Sequence, residues 1–291
     1  MFQAFVVLMI VAQAPAAPSQ GVLLGDAARR IREERKEMRA SQEEMARHVL
    51  QVSGVDKAID EIPKAISESF NEQLARMDSQ FSERYGKAVL ASFTPERIRP
   101  AFIDSFNRQM GYSALAGVLP WLESPLGRKV TAAENRDPDY ATHERNRSEF
   151  AARLQKEPPG ANRVRLIKEI ELQVQSNDHM ADLMLTMVRV FVSTVPVSDS
   201  QRVRSVDMVR SPAFEKGFRD AIAPELEKAD ALSDLYAYSI LSDDELEQYV
   251  QFLRSPHGQT MNRAVWSGFE HSIEAASREL ATRLAAVLRE R

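Results

Sequence analysis

The chain has no cysteine, so nucleophilic, acid–base and metal chemistry must come from serine, histidine and the carboxylates. Its five histidines are His48, His143, His179, His257 and His271; none pairs with another at i and i+4, and no H-E-x-x-H metal motif occurs. Asp178, His179 and Asp182 are the one grouping with ligand chemistry. On a helix they fall on adjacent faces, but no fourth partner is in view, and a solvated helical surface is the plainer reading. Ser255 has His257 two residues on, a nucleophile with a base beside it. The same motif earlier in the chain, Ser124, has Leu126 in the place of the histidine, which favours a structural serine. Asp243 and Asp244 are paired acids, yet they stand where a helix begins and act first as capping groups. Gly54, Gly86, Gly111 and Gly117 are isolated, so there is no phosphate-cradling loop. The expectation is a protein without catalytic, cofactor or metal residues.

The elements that would carry these residues read as helices throughout. Ser242-Asp243-Asp244-Glu245 is a capping box. Thr94-Pro95 and Ser211-Pro212 combine a hydroxyl that accepts an orphan N–H with a proline that needs no partner for its own nitrogen. From Gln259 onward Met261, Val265, Phe269, Ile273, Ala276, Leu280, Leu284 and Leu288 recur every three or four residues, the stripe of a long amphipathic closing helix. Near the other end Asp26 to Arg39 is almost solid mixed charge, with Ile31, Met38, Met45 and Val52 spaced by seven, a narrow apolar line on a solvated lead-in helix. Met180, Met184 and Met187 share one face with Leu183 and are expected to pack in the core. The best strand candidate, Val190 to Val197, contains Pro196 and continues a helical pattern. An all-α fold follows.

Composition narrows the class. With 38 Lys plus Arg against 42 Asp plus Glu the net charge is -4, which gives no electrostatic reason to expect nucleic-acid binding. The 291 residues allow two domains. Ala4 to Ala12 is uninterrupted apolar and is followed by a small, Pro-rich stretch, the pattern of a secretory signal peptide over residues 1–16. Ala14 and Ala16 satisfy an Ala-x-Ala site, so cleavage is expected between Ala16 and Ala17. Nine apolar residues are too few to span a bilayer, which needs about 20. The mature chain is therefore expected to be exported, periplasmic or secreted, without a transmembrane anchor. Polar residues from Glu134 to Arg147 and the stop Glu157-Pro158-Pro159-Gly160 separate two parts, 25–150 and 160–291.

These parts repeat one another. Trp121-Leu122-Glu123-Ser124-Pro125-Leu126-Gly127 recurs 131 residues later as Phe252-Leu253-Arg254-Ser255-Pro256-His257-Gly258, and the ungapped extension from Met110 to Thr131 holds five identities. Upstream, Gln51-Val52 with Asp56 and Asp60 aligns with Gln173-Val174, Asp178 and Asp182 at an offset of 122. In each copy an aromatic ends one helix, Ser caps the next, Pro fills its first turn, and Gly permits close backbone approach.

An acidic helix start, an aromatic pair and Ser-Pro-x-Gly-Gln-Lys resemble the bacterial exported family called domain of unknown function twenty-fifty-nine. In the second copy Glu245, Leu246, Phe252, Ser255, Pro256, Gly258, Gln259 and Met261 fit, with Leu253 in place of the usual Tyr and Thr260 in place of Lys. In the first copy Trp121, Ser124, Pro125, Gly127 and Lys129 fit, while Pro120 interrupts the helix and the acidic start is missing. The resemblance implies an exported all-helical domain, here doubled, and it transfers no catalytic residue. The expected function is a non-catalytic helical module that binds another envelope protein or an apolar polypeptide, in the manner of an interaction or chaperone-like protein. A hydrolase acting on an envelope polymer or lipid is the alternative.

Overall fold

Hydrogen bonds at the marked helix starts set the punctuation of the chain. Ser242 Oγ accepts from Glu245 N at 3.2 Å while the Glu245 carboxylate accepts from Ser242 N at 2.7 Å, which completes the capping box. Ser211 Oγ accepts from Phe214 N at 3.2 Å. At Thr94 the proline opens a helix as expected, but the side chain makes no capping bond. Its carbonyl instead takes the N–H groups of Arg97 and Ile98, both at 3.0 Å.

A computed structural model describes residues 20–74, 79–137, 140–194 and 199–289. Among them are thirteen α-helices and no strand. In chain order they are α1 (Gln20–Val52), α2 (Val55–Leu74), α3 (Ser79–Ser92), α4 (Pro95–Gln109), α5 (Tyr112–Leu122), α6 (Pro125–Glu134) and α7 (Tyr140–Leu154). There follow α8 (Ala161–Val174), α9 (Ser176–Thr194), α10 (Asp199–Arg210), α11 (Pro212–Ala237), a 3-10 turn (Tyr238–Ile240), α12 (Asp243–Arg254) and α13 (Pro256–Arg289). The fold is all-α. The signal region and its Ala16–Ala17 cleavage point lie outside the described residues, and no described helix is long and apolar enough to cross a membrane.

Two expectations are corrected here. Pro120 does not interrupt its helix: α5 runs through it, because a proline this near the C-terminus removes only one late backbone bond and its ring faces solvent. The methionine face of α9 is not core as a whole. Met187 packs inward with Leu183, but Met180 and Met184 are 40 % and 41 % exposed, since the buried edge of α9 is carried by Ala181 and Leu185. The stretch Val190 to Thr194 is helical, as the pattern before it implied.

The chain divides into two compact units between Glu43 and Glu44. In the first, every residue from Arg32 to Ala40 is exposed, Met38 included. In the second, Met45 and Val52 carry the lower end of the apolar line onto a core.

That second unit holds two cores, and each draws its last helix from the other half of the sequence. The first gathers Val49 and Leu50 of α1, Ile59 of α2, Val89 of α3, Phe102 and Phe106 of α4, and Leu115 and Val118 of α5. It is closed by Ile273, Ala276, Leu280 and Leu284 of α13, so that part of the predicted stripe is buried, and Met261, Val265 and Phe269 before it are partly buried against the same core. The second gathers Leu166, Ile167 and Ile170 of α8 with Tyr238 and with Leu246, Tyr249, Val250 and Leu253 of α12. It is closed by Val130 and Ala133 of α6. Trp121 packs against both cores.

Candidate functional site

The two Ser-Pro-x-Gly elements fold as equivalent corners. Ser124 Oγ accepts from Gly127 N at 2.9 Å between α5 and α6, and Ser255 Oγ accepts from Gly258 N at 3.1 Å between α12 and α13. A β-carbon on Gly127 would lie 2.0 Å from the Trp121 carbonyl oxygen, and one on Gly258 would lie 2.2 Å from that of Phe252. Pro125 and Pro256 open the helices that follow. Gln259 uses its amide to hold the corner, donating to the Leu253 carbonyl at 2.8 Å. The aromatics that end α5 and α12 then stack on each other, Trp121 on Phe252 with centroids 4.6 Å apart and planes 7° apart. Motif residues also meet across the halves, because Lys129 Nζ donates to both Glu245 oxygens at 2.7 Å.

Ser255 Oγ is thus engaged as a helix cap, and His257 is turned elsewhere. Its ring lies over Gly117, where a β-carbon would come within 2.3 Å of it. Among the described residues no hydrogen bond joins Ser255 to His257. The other histidines are dispersed: His48 pairs with Glu123 at 2.7 Å, His143 with Asp137 at 3.0 Å, and His271 lines a small cavity. Asp243 is held by Asn162 and Arg163, both at 2.9 Å. Asp178 lines a cleft, and Asp182 pairs with Arg219, which lines the same cleft. His179 finds a third acid absent from the local sequence, Glu270 of α13 at 3.1 Å.

A cleft of about 700 Å³ lies between α8, the start of α9, and α11. Ile167, Leu172, Ala181, Ile222, Ala223 and Leu226 give it apolar walls, and Glu171, Asp230 and Asp234 gather on one side. The corner before α9 builds this arrangement. Gln175 takes the left-handed conformation with φ 55°, ending α8 and starting α9 at once, so that Ser176 and Asn177 fold back on Glu171. Asn177 gives both its backbone N–H, at 3.0 Å, and its side-chain amide, at 2.8 Å, to Glu171 Oε1.

Acids outnumber cations in the lining of the cleft, Glu171, Asp178, Glu227, Asp230 and Asp234 against Lys168, Arg219 and Lys228. The Ser176 hydroxyl touches both the Glu171 and the Asp230 carboxylates. A hydroxyl has one proton to give, so one of those two contacts needs a proton from elsewhere. Asn177 Oδ1 is shielded from solvent and has no donor. Burial, followed by the charges of Asp230, Glu171 and Glu134, pushes the Asp234 carboxyl up to about 8. At neutral pH that group holds a proton, which is how the cluster relieves its own repulsion. Glu134 Oε1 accepts from the Tyr238 and Tyr249 hydroxyls at 2.8 and 2.9 Å behind the cleft. Burial raises both phenols, so they remain donors.

Sequence reasoning named Asp178 but missed Glu171, Ser176, Asn177, Asp230 and Asp234. Their only local signal is Glu171 five residues before a serine; the link to α11 spans 54 positions. No protein-family model, curated protein or solved structure matches this chain.

Proposed function

We propose that the protein is an exported, non-catalytic binding module whose cleft between α8, α9 and α11 takes a polypeptide segment carrying Lys or Arg among apolar residues. The single observation behind this reading is the crowding of acids in an apolar-walled cleft, where the Glu171 and Asp230 carboxylates share one hydroxyl and Asp234 beside them keeps a proton. An ammonium or guanidinium supplies three to five N–H donors and positive charge, and its alkyl stem suits the walls. The cleft volume fits one or two side chains, so affinity would be modest unless flanking residues also dock. Envelope proteins are the partner class, which rests on the export signal.

The same proposal takes the chain as a doubled form of the exported family it resembles. Helices α1 to α6 and α8 to α13 follow one order, with a left-handed residue, Gly54 or Gln175, before α2 and α9. Thr94-Pro95 and Ser211-Pro212 open α4 and α11, and buried positions agree at the 131-residue offset, as in Leu115 with Leu246 and Ala133 with Ala264. Lys129 finds its acid in the other half, at Glu245. The reciprocal positions, Ala114 and Thr260, have lost both members of the pair together.

Binding of a labelled peptide with a central lysine between leucines, followed by fluorescence anisotropy, tests the cleft. Glu171→Gln and Asp230→Asn should each weaken it by about tenfold or more, the loss expected when a desolvated charge pair is removed. A norleucine-for-lysine peptide should not compete. Equal binding of the norleucine peptide, or unchanged affinity in the double variant, would remove the proposal.

A further inference from the structure

We infer that His179, Asp182 and Glu270 form a binding site for a divalent transition metal of the zinc class. The first two stand one turn apart on α9 and the third faces them from α13. One donor atom from each lies within 4.8 Å of the other two, and His179 Nδ1 is 3.1 Å from Glu270 Oε1. Around a tetrahedral ion with bonds of about 2.0–2.2 Å, neighbouring donors sit on the order of 3.3 Å apart. The histidine–glutamate edge already has that length. Asp182 and Glu270 keep 46 % and 45 % of their side-chain surface exposed, so rotation of either closes the remaining gap without repacking.

Three further features point to an ion rather than to an ordinary surface pair. The imidazole is held in orientation by Trp266, stacked at 4.7 Å with planes 13° apart. One oxygen of Asp182 accepts from Arg219, which leaves the other for a metal and supplies the outer-shell bond that metal-ligating carboxylates usually have. The third feature is the first half of the chain. The 122-residue offset matches His179 to Lys57 and Asp182 to Asp60, and the 131-residue offset matches Trp266 to Asn135. Lys57 places its ammonium against the carbonyl oxygens of Asn135 and Asp137, at 3.5 and 3.1 Å. A cation built into the first half is thus replaced in the second by an imidazole, beside acids that both halves carry, since the same offsets match Asp182 to Asp60 and Glu270 to Asp139.

Donor softness selects the class. One imidazole with two carboxylates suits zinc and its neighbours, whereas magnesium and calcium favour all-oxygen shells. Three protein ligands leave at least one coordination position open, and Asp182 and Glu270 also line a cavity of about 450 Å³ with Ser105, Arg189 and His271. The open position therefore faces space that water or a small anion can enter.

Titration calorimetry of the full chain, stripped with chelator, tests the site with zinc chloride and then magnesium chloride. One zinc per chain should bind, and His179→Gln and Glu270→Gln should each weaken it by more than about tenfold. His271→Ala should leave it unchanged. Because a variant can fail to fold, nitrogen-labelled tryptophan in the unmutated chain gives a second readout. Manganese or cobalt should broaden or shift the indole resonance of Trp266 and spare that of Trp121. Absence of zinc binding at micromolar concentration, undiminished binding in the His179→Gln/Glu270→Gln double variant, equal affinity for magnesium, or equal perturbation of both indoles would overturn the assignment.

Discussion

Substitution of Gly258 by alanine should destabilise the protein well beyond loss of the adjoining serine cap. The added β-carbon would stand 2.2 Å from the Phe252 carbonyl oxygen, 2.9 Å from its carbon and 3.0 Å from Leu253 Cα. These are backbone atoms, so no side chain can rotate away. The same carbonyl accepts the Ser255 N–H at 2.9 Å, and Leu253 is buried in the second core, so relief of the clash disturbs both. Overpacking of this kind costs about 1–3 kcal/mol, a weakened cap adds about 1, and the better helix propensity of alanine returns up to about 1. These terms sum to about 1–4 kcal/mol, centred near 2–3, which should lower the melting temperature by roughly 5–10 °C for a cooperative unit of this size. Ser255→Ala should cost only about 1 kcal/mol, or roughly 2–4 °C. Gly217, inside α11 with nothing within 4 Å of the place a β-carbon would occupy, is the control: alanine there should be neutral or stabilising by about 0.5–1 kcal/mol. Thermal and urea unfolding followed by far-ultraviolet circular dichroism reads all three. A Gly258→Ala loss no larger than that of Ser255→Ala would refute the close-approach argument.

Gly127→Ala should behave as Gly258→Ala does, since its clash with the Trp121 carbonyl is as short, and a neutral result would show that the first corner yields where the second does not. Trp121→Ala removes the face-to-face contact with Phe252 and a residue touching both cores, so about 2–4 kcal/mol should be lost, with urea unfolding as the measure. Asp234 titrates at about 8 in the folded protein against an unfolded value of about 4, so the folded state binds the extra proton between those values. Its contribution is full below the unfolded value and declines as pH rises toward 8, by at most about 1.4 kcal/mol per pH unit; Asp234→Asn should flatten that slope, and a parallel pH profile would contradict the assignment. N-terminal sequencing of the exported protein should read Ala-Pro-Ser-Gln from Ala17, and an intact Met1 on the exported form would exclude the cleavage site.

Local chemistry made much of the fold legible. The capping box at Ser242, the cap at Ser211 and both Ser-Pro-x-Gly corners are bonds within three residues, so the sequence contains both partners of each. Thr94 fails as a cap although its neighbours fit, because a backbone bond can be made by its carbonyl without the hydroxyl. The α9 methionines depart from expectation because spacing identifies a common face but not the neighbour that covers it. The cleft and the cation site were the least legible. Asp230 reaches Ser176 across 54 positions and Glu270 reaches His179 across 91, and acids at such distances look like any solvated residues of an amphipathic helix.

The sequence by itself determined that the chain is helical, where five of the thirteen described helices start, which short motif recurs at two corners, and that disulfides and thiolate chemistry are absent. Each follows from periodicity, short-range hydrogen bonding or residue type. Only the tertiary structure decided which helix closes which core: α6 of the first half completes the second, and α13 of the second half completes the first. An apolar stripe states that a helix must be covered and is silent on its partner. That choice, made by fit between faces far apart in the chain, set Trp121 on Phe252 and joined Lys129 to Glu245. The same long-range fit brought three carboxylates to one cleft and a third ligand to His179.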